Sequence, residues 1–252
     1  MTVAQSAANA SPEAVLEVQS VTKSFAGFTA LEDVSVTLLQ GEMRGLIGSN
    51  GAGKSTLLHL IYGRELPDEG AVIFRGRGVS ELPPFQRARL GMALKFQVTS
   101  VFDDLTVEEN LALGAQPKKR VRKGKYERID EVLGLIDLEP KRSWRARELS
   151  HGEMQWLEIG MVLLTDPALL LLDEPTSGMT RAESRRTADL LHSLREQQAV
   201  AAMMIVEHDL EFIRLVSDNV TVLHRGKVLT AGTIAEVQAN VDVQDAYLGR
   251  LA

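Results

Sequence analysis

The stretch that decides the fold is Gly48-Ser-Asn-Gly-Ala-Gly-Lys-Ser-Thr56, which fits the phosphate-loop pattern G-x-x-x-x-G-K-[ST]. The apolar run Met43–Ile47 before it is typical of a buried strand, and Thr56–Ile61 after it has the apolar spacing of a helix. A glycine-rich turn alone would need no binding function. A strand, a glycine loop and a helix in this order form an anion cradle from backbone N–H groups and the positive helix end. The sequence therefore predicts a site for nucleotide phosphates.

Individual residues of this loop have expected roles in binding ATP. Lys54 is expected to reach the β- and γ-phosphates, and the Ser55 hydroxyl is expected to bind Mg²⁺. The residues expected to contact the nucleotide are Gly48, Ser49, Asn50, Gly51, Ala52, Gly53, Lys54, Ser55 and Thr56. The loop by itself leaves kinases, GTPases, helicases and transport ATPases open.

The composition and charge of the chain narrow the classes of protein further. Its 252 residues are 44% hydrophobic and 25% charged, enough for one large α/β domain or two small ones. The absence of cysteine excludes disulfides and thiolate metal sites and favours a reducing compartment. The net charge of −6 argues against general nucleic-acid binding. No apolar run reaches the roughly 18 residues of a membrane span, and residues 1–13 are expected to be a disordered lead-in rather than a signal peptide.

Segments typical of strands alternate with segments typical of helices along most of the chain. This order predicts an α/β fold with a mostly parallel sheet that helices cover on both faces. From about residue 98 to residue 165 the pattern is mainly helical, which predicts a helical subdomain inserted into a single domain of residues 14–252. The expected strands are Val15–Val18, Val34–Leu39, Met43–Ile47, Val72–Arg75, Ala168–Leu172, Val200–Val206, Val220–His224 and Lys227–Thr230.

The run Lys118–Lys125 is a basic cluster in an otherwise acidic chain. It lies between two segments with helical periodicity, Val107–Leu113 and Tyr126–Ile136. Most such clusters are solvated loops, and the alternative is a patch near anionic lipid headgroups.

A second motif follows the strand-like run Leu169–Leu172, where Asp173 and Glu174 end four consecutive leucines. Asp173 lies 119 residues after Lys54 and is expected to hold the Mg²⁺ shell through water. Glu174 lies one residue further, where its carboxylate can orient or deprotonate the attacking water. Two isolated acids often do no more than open a loop, but the apolar strand before them favours the catalytic interpretation.

A third motif is Leu149-Ser-His-Gly-Glu-Met-Gln155. Ser150 is a good helix N-cap, and Glu153 three residues later completes a capping box. On its own this pattern indicates only that a helix begins here. The same helix N-terminus can also bind an anion through the Ser150 hydroxyl and the N–H groups near Gly152.

The third motif resembles the L-S-G-G-Q signature of the ATP-binding-cassette (ABC) ATPases, and Ser150 lies 23 residues before Asp173, in the order and spacing of that family. The resemblance runs from about Val15 to the C-terminus. It implies a P-loop NTPase core with an antiparallel β subdomain and an inserted helical subdomain, and it implies ATP hydrolysis with Mg²⁺. His151 departs from the family pattern because it replaces the first glycine of the signature. We expect activity to survive, since Ser150, Gly152 and the helix N-terminus remain.

The same resemblance implies roles for residues elsewhere in the chain. Gln97 resembles the glutamine that contacts Mg²⁺ and the attacking water, and His208 resembles the histidine that contacts the γ-phosphate. The segment Ser177–Thr180 resembles a loop that lines the dimer interface in the family. Phe25 is expected to stack on adenine, with Phe28 as its rival. The expected catalytic residues are Glu174, His208 and Gln97, and the expected Mg²⁺ ligands are Ser55, Gln97 and Asp173.

ABC ATPases work as head-to-tail dimers, which implies that each ATP lies between one phosphate loop and the signature of the other subunit. Ser150, Gly152 and Glu153 are therefore expected to contact the nucleotide that the partner binds. The implied partners are a second ATPase subunit, identical or different, two membrane permease subunits and, indirectly, a periplasmic solute-binding protein, without nucleic acid. The implied location is the cytoplasmic face of the inner membrane, as a peripheral subunit.

Several local sequences resemble the branch of the family that serves branched-chain amino acid and urea uptake: Val101–Asn110, His151–Gly160, Glu207–Phe212 and Tyr247–Arg250. The signature run is most similar to that of the urea-system subunit, so urea or short-chain amides are the expected solutes. Pro175–Met179 departs mildly from that subunit, which keeps branched-chain amino acid import as the alternative. An exporter of lipid or lipopolysaccharide and a non-transport ATPase are further alternatives.

Overall fold

The computed structural model describes residues 13–95, 101–115 and 124–248. Four segments named from the sequence lie wholly or partly outside these residues. They are the lead-in at 1–13, Gln97, the basic cluster Lys118–Lys125 and the run Tyr247–Arg250. Within the described ranges, no helix is both long enough and apolar enough to cross a membrane.

Ten strands in the described residues form two sheets. The strands are β1 (Ala14–Phe25), β2 (Phe28–Leu39), β3 (Met43–Gly48), β4 (Glu69–Phe74), β5 (Arg77–Gly78), β6 (Met92–Lys95), β7 (Leu169–Asp173), β8 (Ala202–Val206), β9 (Asn219–His224) and β10 (Lys227–Gly232). A four-stranded antiparallel sheet has the order β2-β1-β4-β5, and a six-stranded central sheet has the order β10-β9-β3-β8-β7-β6. In the central sheet only β10 is antiparallel, so the predicted mostly parallel sheet is confirmed.

Helices cover the central sheet and separate most of its strands along the chain. They are α1 (Lys54–Tyr62), α2 (Pro84–Leu90), α3 (Val107–Gly114), α4 (Lys125–Leu135), α5 (His151–Leu163), α6 (Arg181–Glu196), α7 (Leu210–Val216), α8 (Ile234–Ala239) and α9 (Val241–Leu248). Both α3 and α4 contact α5, so these three helices pack as a group. The α/β class predicted from the alternating pattern is confirmed.

Hydrophobic residues bury both faces of the central sheet, as β7 shows. Leu170 and Leu172 belong to the core beneath α3 to α7, whereas Leu169 and Leu171 belong to the core shared with α1 and the antiparallel sheet. All four are fully buried. A strand that is buried on both faces has a continuous apolar sequence, which explains the four leucines before Asp173.

The structure contains elements that the sequence patterns did not predict. The edge strand β6 has four residues, and α7 and α8 have seven and six. Segments this short contain too few residues to show a periodicity. Strands β1 and β2 each have twelve residues and extend well beyond the predicted Val15–Val18 and Val34–Leu39. Register shifts along their pairing interrupt the strict alternation of apolar and polar residues.

Arg87 on α2 is fully buried and binds the end of the helix that follows the phosphate loop. Its Nη1 donates to the carbonyl oxygens of Leu60 at 2.6 Å and Ile61 at 2.7 Å, in the last turn of α1. Nη2 donates to Ser80 O at 2.7 Å, and Nε donates to Leu82 O at 2.8 Å. Burial lowers the pKa of Arg87 to about 10, so the guanidinium stays charged at neutral pH. Arg87 therefore donates hydrogen bonds to carbonyl groups at the end of α1 that have no partner within the helix, and it places a positive charge there.

We expect Arg87→Met to lower the free energy of unfolding by about 3–5 kcal/mol, because several buried carbonyl oxygens would lose their donor. Urea denaturation followed by circular dichroism measures this loss. Arg89→Met is the matched control, since Arg89 is exposed on the same helix and its guanidinium lies over the ring of Phe85, 5.6 Å from the ring centre. We expect the control to lose less than about 1 kcal/mol. Equal losses in the two variants would contradict the role given to Arg87.

Candidate functional site

The carboxyl ends of three neighbouring parallel strands bring the predicted residues together. Strand β3 ends at Gly48, β7 at Asp173 and β8 at Val206, and β8 lies between the other two. Since parallel strands end at the same edge of a sheet, the loops that follow them meet there. The phosphate loop, Glu174 and His208, two residues past β8, gather at this edge.

The phosphate loop ends where α1 begins, at Lys54. Gly53 is the helix N-cap, with a φ of 105° that side chains rarely adopt. A Cβ at Gly53 would also lie 2.8 Å from the backbone oxygen of Ala30, so both the backbone angle and the available space favour glycine at this position. Lys54 Nζ donates to Gly48 O at 2.6 Å and to Ser49 O at 3.2 Å. The ammonium group is therefore fixed within the loop, where the sequence predicts phosphates.

The charged groups around the phosphate loop shift one another's pKa values. Burial lowers the pKa of Lys54, and the carboxylates of Glu174 and Asp173 act against that shift. Burial also raises the pKa of Asp173, and Glu174 adds to this rise, whereas His59, Lys54 and Lys95 oppose it. A buried carboxylate whose ionised form is disfavoured in this way is stabilised by a cation beside it.

The polar side chains around the phosphate loop fit a Mg²⁺ ion that would be bound partly by the protein and partly by phosphate oxygens of a nucleotide. Among the described residues, no group of three or more His, Cys, Asp or Glu side chains is arranged to hold a metal. Mg²⁺ in nucleotide sites is usually bound through one or two carboxylates together with phosphate and water. Asp173 at the end of β7 and the Ser55 hydroxyl at the start of α1 match that set of donors. Gln97, the third expected ligand, lies outside the described residues.

An open cleft of about 980 Å³ at this edge of the sheet is large enough for a nucleotide. Its lining residues are Phe25, Phe28, Ala30, Gly48, Ser49, Asn50, Gly51, Ala52, Gly53, Lys54, Ser55, Thr56, Glu174 and His208. The structure thus brings the whole predicted phosphate loop together with both described catalytic candidates. Asp173 is buried and is not among the residues that line the cleft.

Phe25 and Phe28 lie at the tip of the β1–β2 hairpin and both line the cleft. The two turn residues between them, Ala26 and Gly27, have φ angles of 47° and 84°, as a two-residue type I′ hairpin turn requires. Phe25 is 40% exposed and Phe28 is 67% exposed, and Lys23 Nζ lies 5.3 Å from the centre of the Phe25 ring. Both rings have surface available for stacking, so Phe25 and its rival Phe28 both stay candidates for the adenine contact.

Glu174 and His208 are neighbours in the cleft. His208 Nδ1 lies 3.9 Å from Glu174 Oε1. Glu174 has a φ of 47°, a left-handed conformation that is uncommon for a residue with a side chain and is typically retained at functional sites. Its N–H donates to Val206 O at 2.9 Å, which anchors it to the sheet. The arrangement places a carboxylate that can accept a proton from water beside an imidazole, next to the phosphate loop.

Glu207, for which the sequence predicts no role, is fully buried beside this pair. Its Oε1 accepts hydrogen bonds from Thr176 N at 2.9 Å and Thr176 Oγ1 at 2.6 Å, and its Oε2 accepts one from His208 N at 3.2 Å. One carboxylate therefore ties the loop after Glu174 to the loop that carries His208. The sequence feature that could have indicated this role is an acidic residue between a buried strand and a histidine.

A buried ion pair joins β6 to α5 and was also missed. Lys95 Nζ lies 3.3 Å from Glu158 Oε2, and the two side chains are 1% and 6% exposed. Burial lowers the pKa of Lys95, and Glu158 opposes the shift. The sequence feature that could have indicated this pair is a single charged residue within each of two otherwise apolar stretches.

The N-terminus of α5 has the predicted capping box. Ser150 Oγ accepts a hydrogen bond from Glu153 N at 3.3 Å, and the Glu153 carboxylate accepts one from Ser150 N at 3.0 Å. Lys141 Nζ also donates to both Glu153 carboxylate oxygens, at 2.6 and 2.8 Å. Neither Ser150, Gly152 nor Glu153 is among the residues that line the cleft. Within one chain, the α5 N-terminus, which the sequence predicts to bind an anion, is therefore not part of the cleft.

Comparison with known families and proteins gives consistent matches. The family model described as "ABC transporter" matches residues 31–177. The chain is 32% identical over 250 residues to the high-affinity branched-chain amino acid transport ATP-binding protein LivG of Salmonella typhimurium, over 93% of this chain and 98% of that protein. It is 35% identical over 222 residues to the sulfate/thiosulfate import ATP-binding protein CysA 2 of Chromobacterium violaceum. That match covers 88% of this chain but only 59% of CysA 2.

Solved structures with a similar fold include two ATP-binding cassettes of ABC transporters. A cassette in its ADP conformation matches with a TM-score of 0.83 at 28% identity, over 94% of this chain and 99% of that chain. A nucleotide-free cassette matches with a TM-score of 0.81 at 28% identity, over 93% and 98%. The similarity in fold extends over nearly the whole of each chain.

Proposed function

The chain belongs to the ABC transporter family and is an ABC ATPase, and we propose that it hydrolyses ATP to power a membrane importer. The observation that carries the proposal is the single cleft in which the phosphate loop, Glu174 and His208 meet. Import is supported by relatives of this chain, since CysA 2 is described as an import ATP-binding protein and LivG as an amino acid transport ATP-binding protein.

In the proposed site, the phosphate loop, the aromatic rings, Glu174 and His208 have different roles. Lys54 and the N–H groups of the phosphate loop bind the β- and γ-phosphates, and Phe25 or Phe28 stacks on adenine. Glu174 accepts a proton from the attacking water, and His208 contacts the γ-phosphate. Bound Mg²⁺ supplies positive charge that offsets the charge on the phosphates, and the residues proposed to hold it are Ser55, Gln97 and Asp173.

A second subunit, identical or different, is proposed to complete the site. Ser150 and Gly152 lie outside the cleft at a helix end that can bind an anion, and we propose that they contact a nucleotide that another subunit binds. Burial raises the pKa of Glu153, but the hydrogen bonds from Lys141 and Ser150 and the charge of Lys141 together lower the pKa below its usual value. Glu153 is therefore proposed to act by capping α5, whereas Ser150 and the nearby N–H groups contact the phosphate.

The proposed assembly places this chain at the cytoplasmic face of the inner membrane, with two permease subunits and, indirectly, a periplasmic solute-binding protein. Residues 14–252 are proposed to form one cassette domain, with a helical subdomain at about 98–165. The packing of α3 and α4 on α5 supports such a subdomain.

For the transported solute, we propose urea or a short-chain amide, with branched-chain amino acids as the alternative. The signature run His151–Gly160 favours the first, and the match to LivG along 98% of its length favours the second. Because the ATPase subunit of a transporter does not contact the solute, the permeases that bind this chain decide between the two.

We expect the affinity-tagged chain to co-purify from its native membrane with a permease pair. We also expect uptake of radiolabelled urea to stop in cells whose only copy of this protein carries Glu174→Gln. Uptake of radiolabelled leucine, the control, is expected to continue in the same cells. Loss of leucine uptake with normal urea uptake would assign the chain to amino acid import. Co-purification with ribosomes or DNA in place of permeases would contradict import altogether.

A further inference from the structure

The first residue of α5 contacts a loop of the same chain that begins at Glu174 and spans residues 174–180. His151 Nε2 lies 3.0 Å from the carbonyl oxygen of Ser177. Since a carbonyl oxygen only accepts, Nε2 carries the proton and donates it. The imidazole also packs on Gly178, where an added Cβ would lie 3.1 Å from the ring. A side chain that replaces a glycine of the signature thus joins α5 to the 174–180 loop.

A second contact nearby joins the starts of α5 and α6. Glu183 Oε2 accepts hydrogen bonds from Thr180 N and Thr180 Oγ1, both at 2.8 Å, and so caps α6. Its other oxygen, Oε1, accepts a long hydrogen bond from Ser150 Oγ at 3.5 Å. A Cβ on Gly152 would lie 2.5 Å from the same oxygen, so the Glu183 side chain would have to move to make room for it. The two helix ends are therefore closely fitted to each other around the 174–180 loop.

The contact of His151 leads through one turn to the backbone of Glu174. Ser177 N donates to Glu174 O at 3.2 Å, and Met179 N donates to Thr176 O at 3.0 Å, so the loop is a tight turn that begins at Glu174. Glu174 has a left-handed backbone, with a φ of 47°. Such a conformation persists only when surrounding contacts maintain it. His151 bonds to Ser177, the residue whose N–H closes this turn on Glu174 O.

We propose that His151 is a positioning residue, which holds the turn that carries Glu174 and ties this turn to the N-terminus of α5. The inference rests on the proposed role of Glu174 as the base. It means that a displacement of the α5 N-terminus, the end proposed to meet the partner's nucleotide, is transmitted to the base of the same chain. The glycine that the family has at this position has no side chain to make such a bond.

Two substitutions at one position test the donor in the full-length chain. His151→Met removes the donor at a similar side-chain length, whereas the amide of His151→Gln keeps one. The net effect of a hydrogen bond corresponds to roughly two- to twelvefold in an equilibrium constant. We expect amide hydrogen exchange in residues 175–180 to accelerate by that factor in His151→Met. We also expect kcat for ATP hydrolysis to fall by at least about twofold, with the Kd for ATP unchanged, and His151→Gln to restore both.

His192→Met is the matched control, because His192 Nε2 makes the same kind of contact, 2.8 Å from Leu215 O, between α6 and α7. We expect it to lower the melting temperature without changing kcat or exchange in the 174–180 loop. Equal behaviour of the Met and Gln variants at His151 would overturn the proposal, since the ring would then only fill space. Wild-type exchange in His151→Met would overturn it as well. A wild-type chain without ATP hydrolysis would overturn the proposed function instead, and the exchange rates would still decide whether His151 holds the loop.

Discussion

Glu174→Gln is expected to bind ATP with nearly the wild-type Kd, to lose turnover by about 10²–10⁴-fold and to accumulate as a closed dimer. Glutamine has the shape of glutamate but cannot accept a proton from water. The backbone at this position is held by the bond to Val206 O, so the substitution leaves the loop in place. The phosphate loop and Lys54 are untouched, so binding persists while hydrolysis stops.

Phosphate release measures the turnover of Glu174→Gln, and size-exclusion chromatography with light scattering detects the dimer in ATP. Glu211→Gln is the matched control, because Glu211 is exposed on α7 and does not line the cleft. It is expected to hydrolyse ATP at the wild-type rate and to return to its initial oligomeric state. Unchanged hydrolysis in Glu174→Gln would remove Glu174 from the role of base.

Lys54→Ala is expected to weaken ATP binding itself, with a Kd that rises by about 10- to 150-fold, since a hydrogen bond to a charged group contributes about 1.5–3 kcal/mol. The ammonium group is already held between two carbonyl oxygens of the loop, so it loses little freedom when a phosphate binds. Without it, the carboxylates of Asp173 and Glu174 would repel the nucleotide with no fixed cation in the loop to balance them.

Fluorescence titration with a labelled ATP analogue, or calorimetry with ATP, measures the affinity of Lys54→Ala. Lys125→Ala removes the same charge from an exposed position at the start of α4 and serves as the control. We expect the control to keep the wild-type Kd, because solvent and salt screen its charge. A wild-type Kd in Lys54→Ala would contradict the assignment of the loop as the phosphate site.

Features that depend on a few consecutive residues could be predicted from the sequence. The phosphate loop needs glycines at fixed spacing, and the structure places it between β3 and α1 as expected. The run of leucines before Asp173 predicts a strand that is buried on both faces, and β7 is one. The capping box of Ser150 and Glu153 spans four residues and forms as predicted. In each case the residue pattern that indicates the feature lies within the segment itself.

Contacts between distant segments could not be predicted in this way. The bond of Glu207 to Thr176 and that of His151 to Ser177 join residues 31 and 26 positions apart. Each contact depends on how two elements pack against each other, which no local pattern of residues states. The antiparallel sheet was expected only because the chain resembles a known family, since the pairing of β1 with β4 also joins distant segments.

The buried ion pair of Lys95 and Glu158 limits how this chain can evolve. Removing one partner takes the nearest opposite charge away from the other buried group, a change that typically costs about 3–5 kcal/mol, whereas replacing both with apolar residues of similar size is often neutral or stabilising. A lineage that changes the two positions one at a time must therefore pass through an intermediate with much of its stability lost. The two residues are expected to be inherited, or replaced, together, so that their joint presence or absence marks the descent of related chains.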